Sequence, residues 1–546
     1  MADRNTNNLC VQIVHAHFGP LTAKVASALL TRGRLTLPQI VRFTALRPRT
    51  ARAAVLILVQ HNLAWHSQSE EDGEMIEFNT EECLLRLRFG TFVWQADQLF
   101  GSAAAEIVSL VLDHGKLRPP DIRSHFSSPK SKGKDASIYY QALYQLVSSS
   151  YLVPSTVLFH VSPRDKFLQY EKEEKNQIKS FPTAKELKEA KERAAARLKR
   201  EQEDAMKIGL TKRGSAKING TKLGKRKAMD DEVVDDDVYF RVNATKFNIH
   251  IRSKLIQTAV RERYNESTTT VMRAILKSAE AKATMSDVRS DSVSIATIAS
   301  HIPDEQDITA GLAYSSTKKP SMMSALKEYL GILASADNPT PAGRAASFIS
   351  FAGVSSGKVY VEYEIICRRL RRRVLEAVAR ERYGDEAVRV VRLLLENGKM
   401  SGDQIAKAAM MAVTAIRPLL SLLSAESLIS IQEVPKGADR NPQRTIYLWY
   451  VDLPKAYSVL LGKFYKTLYN IGMRKRAESE DATVRAVLEK SERSDVRADP
   501  SLLTRMEREV LQSWEERRDK LTVLEMRVEE AVFILRDLSL HGVEDE

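Results

Sequence analysis

One pattern recurs four times along this chain of 546 residues, and internal recurrence has to be settled before any fold is assigned. Phe18-Gly19, Phe100-Gly101 and Tyr383-Gly384 each open an apolar helical stretch. A second glycine follows 14 residues later (Gly33, Gly115, Gly398), and an isoleucine stands 7 residues beyond it (Ile40, Ile122, Ile405). A degenerate copy begins at Tyr264-Asn265, where Ala279 replaces the second glycine and an insert delays the matching isoleucine to Ile298. Unrelated helical hairpins that merely share glycines would not keep both intervals in three copies.

The copy at Tyr383 is the plainest. Ala387, Val388, Val391, Leu394 and Leu395 follow helical spacing, and Gly398 supplies a residue that ends a helix. Residues 400–403 form a short extended entry to a second helix through Ile405 and Ala409. A third helix carries Ile416, Leu419, Leu420 and Leu423, and strands are expected over 428–431 and 445–451. Three helices followed by a two-stranded hairpin make a winged-helix module. In the first copy the third helix begins near Pro48, and the hairpin spans 63–65 and 75–78. The second copy places its third helix over 138–149 and its strands at 152–153 and 156–161; the third copy places them at 322–329, 332–333 and 359–363.

Beyond residue 453 the pattern changes. Leu453, Tyr457, Leu460 and Phe464 repeat at alternating 4 and 3 spacing, as do Val510, Trp514, Arg517, Leu521, Leu524, Val528, Ala531, Leu535 and Leu538. The expected fold is therefore mainly α with small β-hairpin wings: four tandem winged-helix domains and a C-terminal antiparallel coiled-coil hairpin. The expected boundaries are 1–82, 83–165, 238–366 (with an insert), 367–452 and 453–546, with a charged, partly disordered linker over 166–237.

A hydrophobic content of 43% supports several cores. Cys10, Cys83 and Cys367 form no CxxC pattern, so neither a zinc site nor a disulfide framework is expected, and a reducing compartment fits. The longest purely apolar run, 53–59, is too short to span a bilayer, and the amino terminus carries no signal peptide, so a soluble intracellular protein is expected.

The net charge of +13 is unevenly spread. Residues 171–210 read as a solvated helix or a disordered linker. Lys212-Arg213 and Lys225-Arg226-Lys227 have the separation of a bipartite nuclear import signal, or belong to an ordinary charged linker; an acidic run over 230–237 follows. A second basic run, Arg368 to Arg373 around Leu370, cannot face one side of a helix, so some arginines should pair and others stay solvated.

No catalytic constellation is present. Residues 220–226 are one spacer short of a phosphate loop and lack its Ser/Thr, the acidic run lies in linker composition, and the histidines are scattered. No catalytic, metal-binding or cofactor-binding residue is therefore assigned, and no small-molecule substrate or membrane is expected. A winged helix binds instead. Arg47, Arg49 and Arg52 cluster at the start of the first copy's third helix, and Lys130, Lys132 and Lys134 precede the second copy's; both sets suit sequence-independent phosphate contact. Residues 55–59 are apolar all round and should be enclosed, as by a partner. Leu419 and Leu423 in the fourth copy, and Leu521, Leu524, Val528 and Leu535 in the hairpin, are candidates for protein docking.

The tandem array, the glycine spacing, the basic-acidic linker and the terminal hairpin together resemble the third-largest-subunit family of eukaryotic RNA polymerase III, most closely over residues 9–44 and 382–410. The resemblance covers nearly the whole chain and is weakest over 165–237. It implies a nuclear, noncatalytic subunit with winged helices related to those of the initiation factor TFIIE. It further implies a place in a three-subunit subcomplex on the clamp of the largest subunit, supporting recruitment to initiation factors and opening of promoter DNA. The polymerase aspartate motif NADFDGD is absent, in line with that role. The competing readings are a free-standing winged-helix transcription factor and a winged-helix scaffold of another complex.

Overall fold

The repeat glycines take a backbone conformation that other residues avoid. In the computed structural model, Gly19, Gly101 and Gly384 have φ of 81°, 87° and 79° with ψ of 177°, 177° and −174°. This region is essentially closed to residues with a Cβ. It turns the chain sharply from one helix into the next. In the degenerate copy Asn265 stands at the same place in extended conformation (φ −118°), and its side chain accepts from the Thr268 N–H to cap the following helix. Four different backbones thus reach one corner by two chemistries.

The structure describes residues 3–69, 73–126, 136–177, 183–212, 232–303, 308–312, 321–338, 340–353, 357–435 and 445–538. They form two units, 1–247 and 248–546, mainly helical with small antiparallel sheets. Each copy follows the same path. After the helix that the repeat glycine opens, a short extended stretch pairs with the last strand of the copy, and that strand pairs with the one before it. In the first copy Leu35–Thr36 pairs with Gly73–Phe78, which pairs with Ala64–Ser69. The third and fourth copies match, with Val293–Ser294 on Lys358–Val361 and Ile349–Phe351, and Met400–Ser401 on Thr445–Tyr450 and Ser430–Pro435. The isoleucine of the second helix is fully enclosed each time, as Ile40, Ile122, Ile298 and Ile405.

A further equivalence was not read from the sequence. Each third helix ends on a left-handed residue other than glycine: Asn62, Ser150, Ser335 and Ser427, with φ between 51° and 61°. The next N–H reaches back five residues, Leu63 to Leu58, Tyr151 to Leu146, Ala336 to Gly331 and Leu428 to Leu423, at 2.8–3.0 Å. This Schellman closure satisfies carbonyls that the helix end leaves open and aims the chain into the sheet.

The second copy departs from expectation. Its wing consists of Leu152–Pro154 paired with Phe240–Val242, and Leu117 bridges to Phe240 where the other copies have their first strand. The strand expected at 156–161 is instead a 3₁₀ turn, Val157–His160. Residues 166–237 are therefore not a linker between domains but part of a long insertion within this wing. Its described portion is folded: helices Pro163–Asn176 and Ala184–Lys207 run in opposite directions, with Arg197 paired to Glu173 at 2.8 Å and stacked over Tyr170, and strand Leu210–Lys212 pairs with Glu232–Val234. Half-buried Arg241 of the last strand lies 3.8 Å from Glu82 and over the Phe159 ring, and desolvation lowers its pKa while raising that of Glu82. In the third copy the strand expected at 332–333 belongs to helix Met322–Leu333, because that helix runs on to its serine cap.

Helices Leu453–Glu480 and Arg505–Arg536 pack in opposite directions, joined by the ion pairs Lys475–Glu525 and Arg517–Glu478. The expected seam is not buried along its length: Leu524 remains 44% exposed and Arg517 faces solvent. Burial concentrates at 532–535, where Leu535 enters the fourth copy's core beside Leu453 and Leu460, and Phe533 and Ile534 enter the third copy's core. The end of the helix, not its seam, secures the element.

In the first unit, the end of helix Pro48–Gln60 is tied to the second copy. Gln60 donates to the carbonyls of His114 and Lys116, and the Lys116 ammonium donates to the Val59 carbonyl and to His160 Nε2, each at 2.9 Å except the His114 bond at 3.0 Å. A Cβ at Gly115 would lie 2.4 Å from the Gln60 carbonyl oxygen, so this close approach needs glycine. Burial, reinforced by nearby cations, lowers the pKa of His61 and His160 to about 4 and that of Lys116 to about 8.

Two outcomes follow from this arrangement. Gly384→Ala is expected to destabilise the chain by about 1–3 kcal/mol and Ser427→Gly to stabilise it by about 0.5 kcal/mol, read by denaturant unfolding. Because His61 and His160 are held neutral, the unfolded chain takes up protons first. Stability should be complete above about pH 6.5 and decline toward pH 4, and His61→Gln/His160→Gln should flatten that decline in melting temperature.

Candidate nucleic-acid interface

Helix Pro48–Gln60 is amphipathic, and its inner face explains its outer one. Ala51, Ala54, Val55 and Leu58 turn inward at 3 and 4 spacing and pack the first copy's core. The opposite stripe holds Arg49, Arg52, Ala53 and Leu56, all exposed. Arg47 is the N-cap residue, but its side chain makes no cap bond, so its guanidinium projects outward. None of Arg47, Arg49 and Arg52 forms an ion pair among the described residues. The open N–H groups of the first turn carry partial positive charge of the same sign, and the two effects add toward an anion.

The neighbouring charges set how such a site can be used. Arg34 is occupied by Glu77 at 2.8 Å and Asp165 at 2.9 Å, and Arg32 stacks on Phe43 at 3.9 Å. Glu70, Glu71 and Asp72, which stand in the sequence between the two wing strands, lie outside the described residues. Of residues 55–59, Val55 and Leu58 are inside the chain's own core, and Leu56 is 68% exposed. One surface thus carries arginines at one end and bare leucine at the other.

Lys130, Lys132 and Lys134 lie outside the described residues, as do Arg213, Lys225, Arg226 and Lys227; Lys212 closes strand Leu210–Lys212. In helix Ala136–Ser148, Tyr139 is buried, donates to Glu106 at 2.6 Å and stacks on Phe126, whereas Tyr140 and Tyr144 are exposed. The run at 368–373 divides: Arg368 pairs with Glu364, Arg373 pairs with Glu262, Arg371 lies over Tyr457, and Leu370 is buried.

The docking residues need correction. Leu423 and Leu535 are buried in the fourth copy's core and Leu419 packs against it, so none of the three offers a free surface. The apolar stripe of helix Val413–Ala425 is its core face. What remains outside is Leu422, 50% exposed, with Val413 and Met410 beside the helix start and Ile431, Val434, Ile446 and Tyr447 on the wing. The signal was present in the spacing, because Leu422 falls off the 416, 420, 423 stripe. In the hairpin, Leu521 and Val528 are half-buried and Leu524 is exposed. The three cysteines are buried thiols, and among the described residues no group of His, Cys, Asp and Glu is placed to hold a metal ion.

Three family models match separate stretches of the chain. One, described as the RNA polymerase III subunit RPC82 helix-turn-helix domain, covers residues 8–69. A second, described as RNA polymerase III subunit RPC82, covers 141–340, and a third, described as the POLR3C C-terminal winged-helix domain, covers 375–451. The chain is 25% identical to DNA-directed RNA polymerase III subunit RPC-3 of Coccidioides immitis, over 97% of this chain and 99% of the relative. It is 24% identical to DNA-directed RNA polymerase III subunit RPC3 of Bos taurus and of Homo sapiens, over 96% of this chain and 97% of each relative.

The burial pattern separates core from surface leucines in adjacent positions. Leu423→Ala should cost about 2–5 kcal/mol of stability, whereas Leu422→Ala should stay within about 0.5 kcal/mol, both read by chemical denaturation.

Proposed function

The chain belongs to the RPC82/RPC3 family of RNA polymerase III subunits, and on that premise we propose that it is a noncatalytic, nuclear subunit that helps the enzyme open promoter DNA. In this reading the four copies are winged-helix modules. The chain sits on the clamp of the largest subunit with two fellow members of an initiation subcomplex, and serves transcription of small RNA genes such as those for tRNA and 5S rRNA. The observation that carries the reading is similarity along nearly the full length to subunits of that enzyme.

The mechanism is mechanical and electrostatic. Each copy buries its own small core, so it acts as a rigid block. Exposed apolar residues such as Leu56, Leu422 and those of the fourth wing dock on other polymerase III subunits or its initiation factors. Arg47, Arg49 and Arg52 add affinity for the DNA backbone that does not depend on sequence. A free-standing transcription factor is disfavoured: helix Pro48–Gln60 has arginines only at its start, and Arg417 is the single basic residue of helix Val413–Ala425.

Arg47→Ala/Arg49→Ala/Arg52→Ala should weaken DNA crosslinking and open-complex formation about tenfold at low salt, and less as salt rises, with assembly of the polymerase unchanged. Loss of assembly in the triple variant would place these arginines in a protein interface and remove the DNA assignment.

A further inference from the structure

Within the second unit, a cleft of about 880 Å³ opens between the end of helix Ala244–Arg263, the short helix Pro341–Ala346 and helix Tyr363–Asn397. Six arginines and three glutamates line it. Three of the arginines are already matched: Arg373 by Glu262, Arg392 by Glu376 and Arg380 by Asp385. The other three, Arg263, Arg369 and Arg372, have no carboxylate partner among the described residues.

Their arrangement concentrates positive charge. Arg263 and Arg369 both donate to one acceptor, the Ala346 carbonyl at the end of its helix, which brings two guanidinium groups together. Burial and then the nearness of Arg263 lower the Arg369 pKa to about 10. The Arg372 Nε is shielded from solvent and has no partner among the described residues. A carboxylate placed between these groups would relieve the repulsion and satisfy the open N–H donors.

The floor adds a second requirement. Ala259, Ala345, Ala346 and Ala377 line it with small side chains, and Phe348, Ile366 and Leu370, which line it too, are buried in the third copy's core. Small side chains over an apolar base leave a hollow suited to a large apolar side chain. A free phosphate or similar small anion leaves most of this volume unfilled. A single-stranded nucleic acid lacks a stacking platform here, since Phe348 is enclosed and covered by Arg369 at 4.1 Å.

We propose that this cleft is a docking site for an acidic segment of another polypeptide, which seats a large apolar side chain over the alanines and presents carboxylates to Arg263, Arg369 and Arg372. The site is independent of the arginines on helix Pro48–Gln60 and of their proposed contact with DNA. A labelled peptide of about ten residues, glutamate and aspartate around a central leucine and phenylalanine, tests it by fluorescence anisotropy with the full chain at low salt. The peptide should bind, and Arg263→Glu/Arg372→Glu should weaken binding at least about tenfold. Ala377→Trp, which fills the hollow without altering charge, should weaken it to a similar degree, and both variants should melt like the parent. Equal binding by parent and variants overturns the proposal. So does tighter binding of a thymidine oligonucleotide that is lost in the same variants, which marks a phosphodiester site. Equal binding of an oligoglutamate, insensitive to Ala377→Trp, leaves only an ionic patch and also overturns it.

Discussion

Each copy is closed by a contact of very few residues. A short extended stretch after the first repeat helix meets the returning strand of the wing, through Leu35 and Ile76, Leu117 and Phe240, Val293 and Val359, or Met400 and Trp449. Three helices of 6 to 14 residues cannot bury an apolar face alone, and this edge of sheet covers the open side of each core. The corner glycines, the capped third helix and the buried isoleucine all serve to deliver the chain to that meeting point. Where the returning strand arrives late, as at Phe240–Val242, everything between can be rebuilt without loss of the core. That is how a helical pair and a further two-stranded sheet come to sit inside one wing.

Charge is distributed by the same economy of surface. The start of helix Pro48–Gln60 and half of the cleft's arginines have no carboxylate partner among the described residues, while basic residues that brace elements are matched, as in Arg34 with Glu77 and Arg197 with Glu173. Exposed pairs of this kind contribute little to stability individually. Cations without a carboxylate partner among the described residues include those at the start of helix Pro48–Gln60 and Arg263, Arg369 and Arg372 along the cleft. The likeness to RNA polymerase III subunits is the ground on which these surfaces are proposed to meet DNA and an acidic protein segment.

Much of this was legible from residue spacing. The intervals of 14 and 7 located the corners, the helix ends and the buried isoleucines, including Ile298 behind its insert, because backbone sterics and core geometry repeat whenever a module does. The serine and asparagine caps after the third helices were not read, since neither residue type marks a left-handed position on its own. The docking leucines were misjudged for a related reason. A helix of many leucines has a core stripe and a remainder, and Leu419 and Leu423 lie with the stripe while Leu422 does not.

The sequence by itself determined the places of the repeat glycines and of the buried isoleucines and the clustering of Arg47, Arg49 and Arg52, all consequences of local periodicity and composition. Only the tertiary structure decided that Phe240–Val242 completes the second wing, that residues 532–535 secure the last helix in two cores, and that Arg263 and Arg369 share one carbonyl. Those pairings join residues tens to more than a hundred positions apart. Which distant groups meet is set by the closing of cores in three dimensions, and no local pattern in a chain encodes it.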